Sequence, residues 1–361
     1  MEGKRTGFVD MARGAAILCV VLYHLIAPCG AKTVLTHLAD TVVIVFFFYS
    51  GYFHKPGKRS LSQELSLRAK KLMVPFLKYS LLFWLAGSVV LVVSKEETIQ
   101  EAFLCLRNYF AGCIWNRTIQ DFFGWEYYSL GKRYMFLADL WFFVALMLAS
   151  ILFLLIADRV LKSRAKTLAA VCGLVAVTGV LRGFKIFLPY NIQLTPFWAA
   201  VMLLGAFFGY NRLFDIPSLS GTKELIPGIM SLVSGFVLSM LKAPNVNNYR
   251  GTFPENEILS MILCLAASIL LIWGAGIVSK HIEAAGVRVK ELCWIGSHSL
   301  LIYVYHVFIA WVICRMTGFS TFYEEDPGTG VILKSCLLTA AVLAVCILLC
   351  IAEDRIKKQR A

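Results

Sequence analysis

Apolar residues run along this chain in long continuous blocks, with no alternation of apolar and polar positions. Blocks at 8–28, 38–53, 72–94, 136–157, 167–187, 194–210, 225–241, 258–278, 293–314 and 331–352 approach the roughly 20 residues that carry a helix across a bilayer. The pattern predicts an all-α polytopic membrane protein with about ten transmembrane helices. A transmembrane β-barrel would instead show short segments of dyad alternation. No internal repeat or separate soluble stretch interrupts the blocks, so residues 1–361 are expected to form a single transmembrane domain. The first block has no small-x-small cleavage pattern between Pro28 and Gly30 and is expected to stay in place as a span.

Composition agrees with the pattern. Hydrophobic residues make up 59% of the chain and charged residues 16%, and the mean hydropathy is +0.72. A soluble domain carries about a quarter charged residues. The 35 Lys and Arg exceed the 22 Asp and Glu, but the surplus is spread over connecting segments. That argues against a nucleic-acid stripe and for membrane orientation. With ten spans the termini share a side, and the segments on that side hold the larger part of the basic residues. Both termini are therefore expected to be cytoplasmic.

Two connections stand out on this map. The inner segment "HKPGKRSLSQELSLRAKK", residues 54–71, has six basic residues against one acid, Glu64. The outer connection at about 95–135 is long and aromatic, containing "NYFAGCIWNRTIQDFFGWEYYS", and long connections are often functional. The eleven cysteines show no CxxC or Cys/His spacing, and no metal is indicated.

Ionisable residues inside the blocks mark candidate chemistry, because they are costly there. Arg13 and His24 lie eleven positions apart in the first block. That is about three helical turns, so they share a face with a rise of roughly 16 Å between them. Asp10 is one turn before Arg13, within pairing reach. Two readings stay open: the face lines a cavity, or Arg13 snorkels to the headgroups while His24 caps the outer end. Arg68, Lys70 and Lys71 at the start of the third block either obey the positive-inside rule or bind an anionic cytosolic ligand. Ser50 and Gly51 permit close helix approach. His298 and His306 share a helical face, a weak metal signal that favours packing or pathway lining, with a catalytic His306 as the alternative.

The chain resembles the integral-membrane acyltransferase family 3, and within it the fucose 4-O-acetylase-like branch. The resemblance rests on an Arg-x10-His pattern at Arg13 and His24, on "FFFYSGYFHK", and on "RAKKLMVPF" with Lys71 in place of a second arginine. It extends to "ADLWFFVALML" around Trp141 and to "IGSHSLLIYVYH", which holds Ser299 and His306. It implies an enzyme moving an acetyl or other short acyl group from cytosolic acyl-CoA to a hydroxyl of an exported or lipid-linked glycan, for example one carried on a polyprenyl lipid. On this reading His24 is the base or acyl carrier, and Arg13, Arg68 and Lys71 bind the phosphates of acetyl-CoA. Asp10, Ser50, Trp141, Ser299 and His306 support the site, and Trp125, Glu126, Tyr127 and Tyr128 meet the carbohydrate acceptor. The lipid bilayer of a bacterial inner membrane is the implied setting. A transporter whose permeation path is lined by Asp10, Arg13 and His24 is the competing reading. The inverted repeats and broken spans that often mark transporters are not evident.

Overall fold

The computed structural model describes residues 7–26, 30–112, 134–184, 186, 188–213, 222–241, 257–286, 289–318 and 329–360. These residues are overwhelmingly helical, and nine of the helices are long and apolar enough to cross a membrane. A further apolar helix, Leu225–Leu241, lies where a tenth span is expected. The fold class read from the hydropathy pattern is the one observed: this is an all-α polytopic membrane protein.

The helices are α1 (Gly7–Leu25), α2 (Gly30–Tyr52), α3 (Leu61–Val93), α4 (Ile99–Phe110), α5 (Met135–Ala138), α6 (Trp141–Val160) and α7 (Arg164–Gly183). A 3-10 turn at Pro189–Leu194 leads into α8 (Thr195–Tyr210). Then come α9 (Thr222–Leu241), α10 (Glu257–Ala284), α11 (Lys290–Ser297), α12 (Ser299–Thr317) and α13 (Thr329–Arg360).

Local chemistry explains where these depart from the apolar blocks. α3 begins eleven residues before its block at Leu72, because Ser60 and Gln63 form a reciprocal capping box that starts a helix in polar sequence. Thr98 and Glu101 do the same for α4, so the first part of the 95–135 connection is helical. The block at 293–314 is two helices, α11 and α12, divided at His298. There the backbone leaves helical geometry, with His298 at φ −100° and ψ 9°, and Trp294 O is shared between the His298 amide at 3.2 Å and its imidazole Nδ1 at 2.9 Å.

The chain divides into two compact units. The first comprises 1–49, 211–246 and 259–361, and so contains α1, most of α2, and α9 to α13. Here α1 crosses α11 at a contact only glycine permits. A Cβ on Gly296 would sit 1.7 Å from Asp10 O, and one on Gly14 would sit 2.2 Å from Leu292 O. Polar bonds also link its helices in the apolar interior. Thr41 and Ser239 hydroxyls are 3.1 Å apart, and Ser268 donates to Thr41 O at 3.3 Å.

The second unit comprises 50–210 and 247–258, centred on α6 and α8. α8 is buried along most of its length, including Trp198. Tyr134 donates to Glu97 and lies 2.8 Å from the Ser88 hydroxyl, tying the start of α5 to α3 and the α3–α4 connection. The outward face of α3 exposes Val74, Leu77, Leu81, Leu85 and Val89, an apolar face suited to lipid.

Candidate active site

Each unit contains its own group of sequence-predicted residues. In the first unit α1 is an unbroken helix, so Arg13 and His24 share one rigid element and His24 falls in its last turn. Arg13 Nη2 donates to Ser299 Oγ at 3.0 Å, and its Nη1 lies 3.9 Å from Asp10 Oδ1. Both partners are buried. The Gly14–Gly296 crossing brings the start of α12 close enough for Ser299 to reach Arg13. The half-buried Arg13 and its buried partners Asp10 and Ser299 thus form one polar group.

At the other end of α1, the half-buried His24 ring meets His306 of α12 edge to face, with centroids 5.2 Å apart. Tyr23 flanks His24 at 5.0 Å. His306 is fully buried and its Nδ1 lies 2.7 Å from Tyr303 O. A carbonyl only accepts, so Nδ1 carries the proton and donates. Its Nε2 has no hydrogen-bond partner among the described residues. A nitrogen-bearing side chain held this way by a backbone carbonyl has a fixed orientation, which in turn fixes the face it shows to His24.

His298, eight residues earlier, does not join this pair. Its Nε2 lies 3.1 Å from Asp354 Oδ1 and its ring packs on Trp294 at 4.4 Å. It ties the α11–α12 break to the end of α13.

The second unit gathers the basic group. Arg68 Nη1 donates to Ser50 Oγ at 3.0 Å and to Ser150 Oγ at 2.9 Å, and Nη2 to Ser50 O at 3.4 Å. Its guanidinium lies over the Phe153 ring, 5.8 Å from the centroid. Ser150 donates its own proton to Leu146 O at 2.6 Å, which leaves an oxygen lone pair for Arg68. Gly51 of α2 packs against the Met202 backbone of α8, where a Cβ would come within 1.9 Å of Met202 O. The small residue beside Ser50 therefore lets α2 end against α8.

Above Arg68 opens a pocket of about 180 Å³ lined by Ser50, Phe53, His54, Lys55, Lys58, Arg59, Glu64 and Arg68. Four basic side chains converge there against one carboxylate, and Arg59 pairs with that carboxylate at 3.1 Å. Arg68, half-buried and pre-oriented, suits an oxyanion better than a mobile surface lysine does. Lys71 is exposed and is not among the residues lining the pocket.

Trp141 opens α6 half-buried and lies against Trp198, 5.6 Å between rings. Trp125, Glu126, Tyr127 and Tyr128 lie outside the described residues. Of the other groups in the second unit, the Tyr109 and Tyr134 phenols are raised above their ordinary range by burial. Glu97 pushes Tyr134 further in the same direction. Both are neutral hydrogen-bonding groups there, unsuited to act as bases.

Sequence reasoning did not single out Ser150, His54 or Asp158. Ser150 is one hydroxyl in an apolar run, and His54, in the α2–α3 connection, and Asp158, in the last turn of α6, are 104 positions apart. Only the packing of α3 and the α2–α3 connection against α6 relates them.

The acyltransferase 3 family model, described as "Acyltransferase domain", matches residues 6–351. No curated protein and no solved structure matches the chain significantly.

Proposed function

This chain belongs to the acyltransferase 3 family and is a multi-pass membrane acyltransferase; from that premise we propose that it moves an acetyl or other short acyl group from cytosolic acyl-CoA to a carbohydrate hydroxyl. The acceptor we propose is an exported or lipid-linked glycan, and the setting a bacterial inner membrane with both chain termini in the cytoplasm.

The observation that carries this reading is the His24–His306 pair at the end of α1. A histidine titrates near neutrality and both accepts and returns a proton. In the proposed step a ring nitrogen of His24 takes the proton of the acceptor hydroxyl. The hydroxyl oxygen attacks the thioester carbonyl, the C–S bond breaks, and the departing thiolate takes the proton back from the imidazolium. His306, fixed through Tyr303 O, positions the His24 ring. An acyl-histidine carrier is the variant of the same proposal and uses the same residue.

Donor binding falls to Arg68 and the basic pocket above it, whose charge and fork geometry match phosphates. Arg13, held by Asp10 and Ser299, and Lys71 are proposed as further cationic contacts. The aromatic segment with Trp125, Glu126, Tyr127 and Tyr128 is proposed for the acceptor, since aromatic faces stack on sugar rings. The half-exposed Trp141 is proposed as a supporting residue.

The test is free-thiol release from acetyl-CoA by the detergent-purified full chain, with a carbohydrate acceptor supplied. Thiol release by the wild type, abolished in Arg68→Ala through loss of donor binding, is the expected result. A wild-type protein that neither binds CoA nor releases thiol contradicts the proposal.

A further inference from the structure

The donor pocket has an unusual weakness. Three of its cations, Lys55, Lys58 and Arg59, sit on the short α2–α3 connection, which has no regular structure of its own. Like charges on such a loop repel one another and splay it into solvent unless something fastens it. The structure shows what fastens it, and the fastening residue lies outside the pocket lining.

Asp158, in the last turn of α6, engages the loop with both carboxylate oxygens. His54 Nε2 lies 2.9 Å from Oδ1, and the Gly57 amide donates to Oδ2 at 3.4 Å. A carboxylate only accepts, so Nε2 carries the proton. Gly57 has φ of +72°, a left-handed conformation that glycine adopts without strain, and this turn presents its amide to Asp158. The loop also closes on itself through His54 N to Gly51 O at 2.8 Å and Lys58 N to Lys55 O at 3.2 Å.

The fastening continues inward. The His54 side chain is only 6% exposed and meets the fully buried Phe153 edge-on at 5.1 Å. Phe153 is the ring under the Arg68 guanidinium. Asp158, His54, Phe153 and Arg68 therefore form a continuous line along α6, from the loop to the deepest cation of the pocket.

We propose that Asp158, acting through His54 and the Gly57 amide, is the positioning residue that holds the basic α2–α3 loop in its anion-binding conformation for the phosphates of the acyl-CoA donor. The inference rests on the donor reading given above. Asp158 touches no substrate. Its contribution is to fix, before the donor arrives, a loop that otherwise has to be ordered at the moment of binding.

The test uses the purified full chain. Coenzyme A is titrated by calorimetry, and KM and kcat for acetyl-CoA are read from thiol release. Asp158→Asn keeps the side-chain size but removes the charge, and is expected to raise Kd and KM about tenfold with kcat within about twofold. His54→Ala is expected to do the same, and the double variant to be no worse than either alone, because both act through one contact. Asp158→Glu is expected to recover part of the affinity. Asp158 is half exposed, so loss of its charge costs little global stability and the melting temperature of Asp158→Asn without donor stays near that of the wild type. Wild-type CoA affinity in Asp158→Asn, alongside weakened binding in Arg68→Lys, overturns the clamp and leaves the donor pocket standing. Additive losses in the double variant overturn the coupling between His54 and Asp158. A wild-type chain that does not bind CoA removes the donor pocket and the clamp with it.

Discussion

Arg68 shows how much depends on single donor–acceptor pairs at the floor of a charged pocket. Its Nη1 serves two hydroxyls, Ser50 Oγ and Ser150 Oγ, from two different helices. Hydrogen bonds from a charged group contribute about 1.5–3 kcal/mol each. Arg68→Lys keeps the charge but cannot span both hydroxyls from a fixed plane, so CoA affinity should fall about tenfold or more in a binding titration. Ser150→Ala removes one acceptor and should weaken binding several-fold with the fold intact, as checked by melting temperature. The sequence made part of this group legible. Arg68 and Ser50 lie in recognisable patterns, and the close approach expected of Ser50–Gly51 is seen at the Gly51–Met202 contact. Ser150 was not legible, because a serine that bonds its i−4 carbonyl looks like any tolerated hydroxyl in an apolar helix. The Arg13–Asp10 pairing followed from one-turn spacing. Ser299 as the partner of Arg13 did not follow from spacing, because it depends on how α11 crosses α1.

At the scale of elements, the α1–α11 crossing sets the geometry of the first unit. Gly14 and Gly296 bring backbone against backbone, and the start of α12 follows directly from the position of α11. Gly296→Ala places a methyl where Asp10 O now sits, and forcing such overlap costs about 1–3 kcal/mol. The expected outcome is a lower melting temperature in detergent together with lost activity, since the crossing also carries Ser299 to Arg13. Gly173→Ala is the matched control. A Cβ there meets nothing within 4 Å, and alanine favours a helix over glycine by about 0.5–1 kcal/mol, so its melting temperature should hold or rise. Hydrophobic blocks located the helices well but not their ends. The polar capping boxes at Ser60 and Thr98 extend helix into sequence that hydropathy reads as loop, and His298 splits a block that hydropathy reads as one span.

For the whole molecule, the apolar pattern and the family match agree on a multi-pass membrane acyltransferase. The proposed orientation adds that both termini are cytoplasmic. A reporter fused after Ala361 that is active only in the cytoplasm should therefore give signal, and one active only outside should not; the reverse pattern refutes the orientation. The central claim is that His24 performs the chemistry while donor binding is separate from it. The most direct measurement pairs a CoA titration with thiol release from acetyl-CoA for wild type and His24→Ala. Unchanged CoA affinity with release reduced by at least about 10²-fold is the result expected for loss of a general base. Release at the wild-type rate from a folded His24→Ala protein contradicts the account.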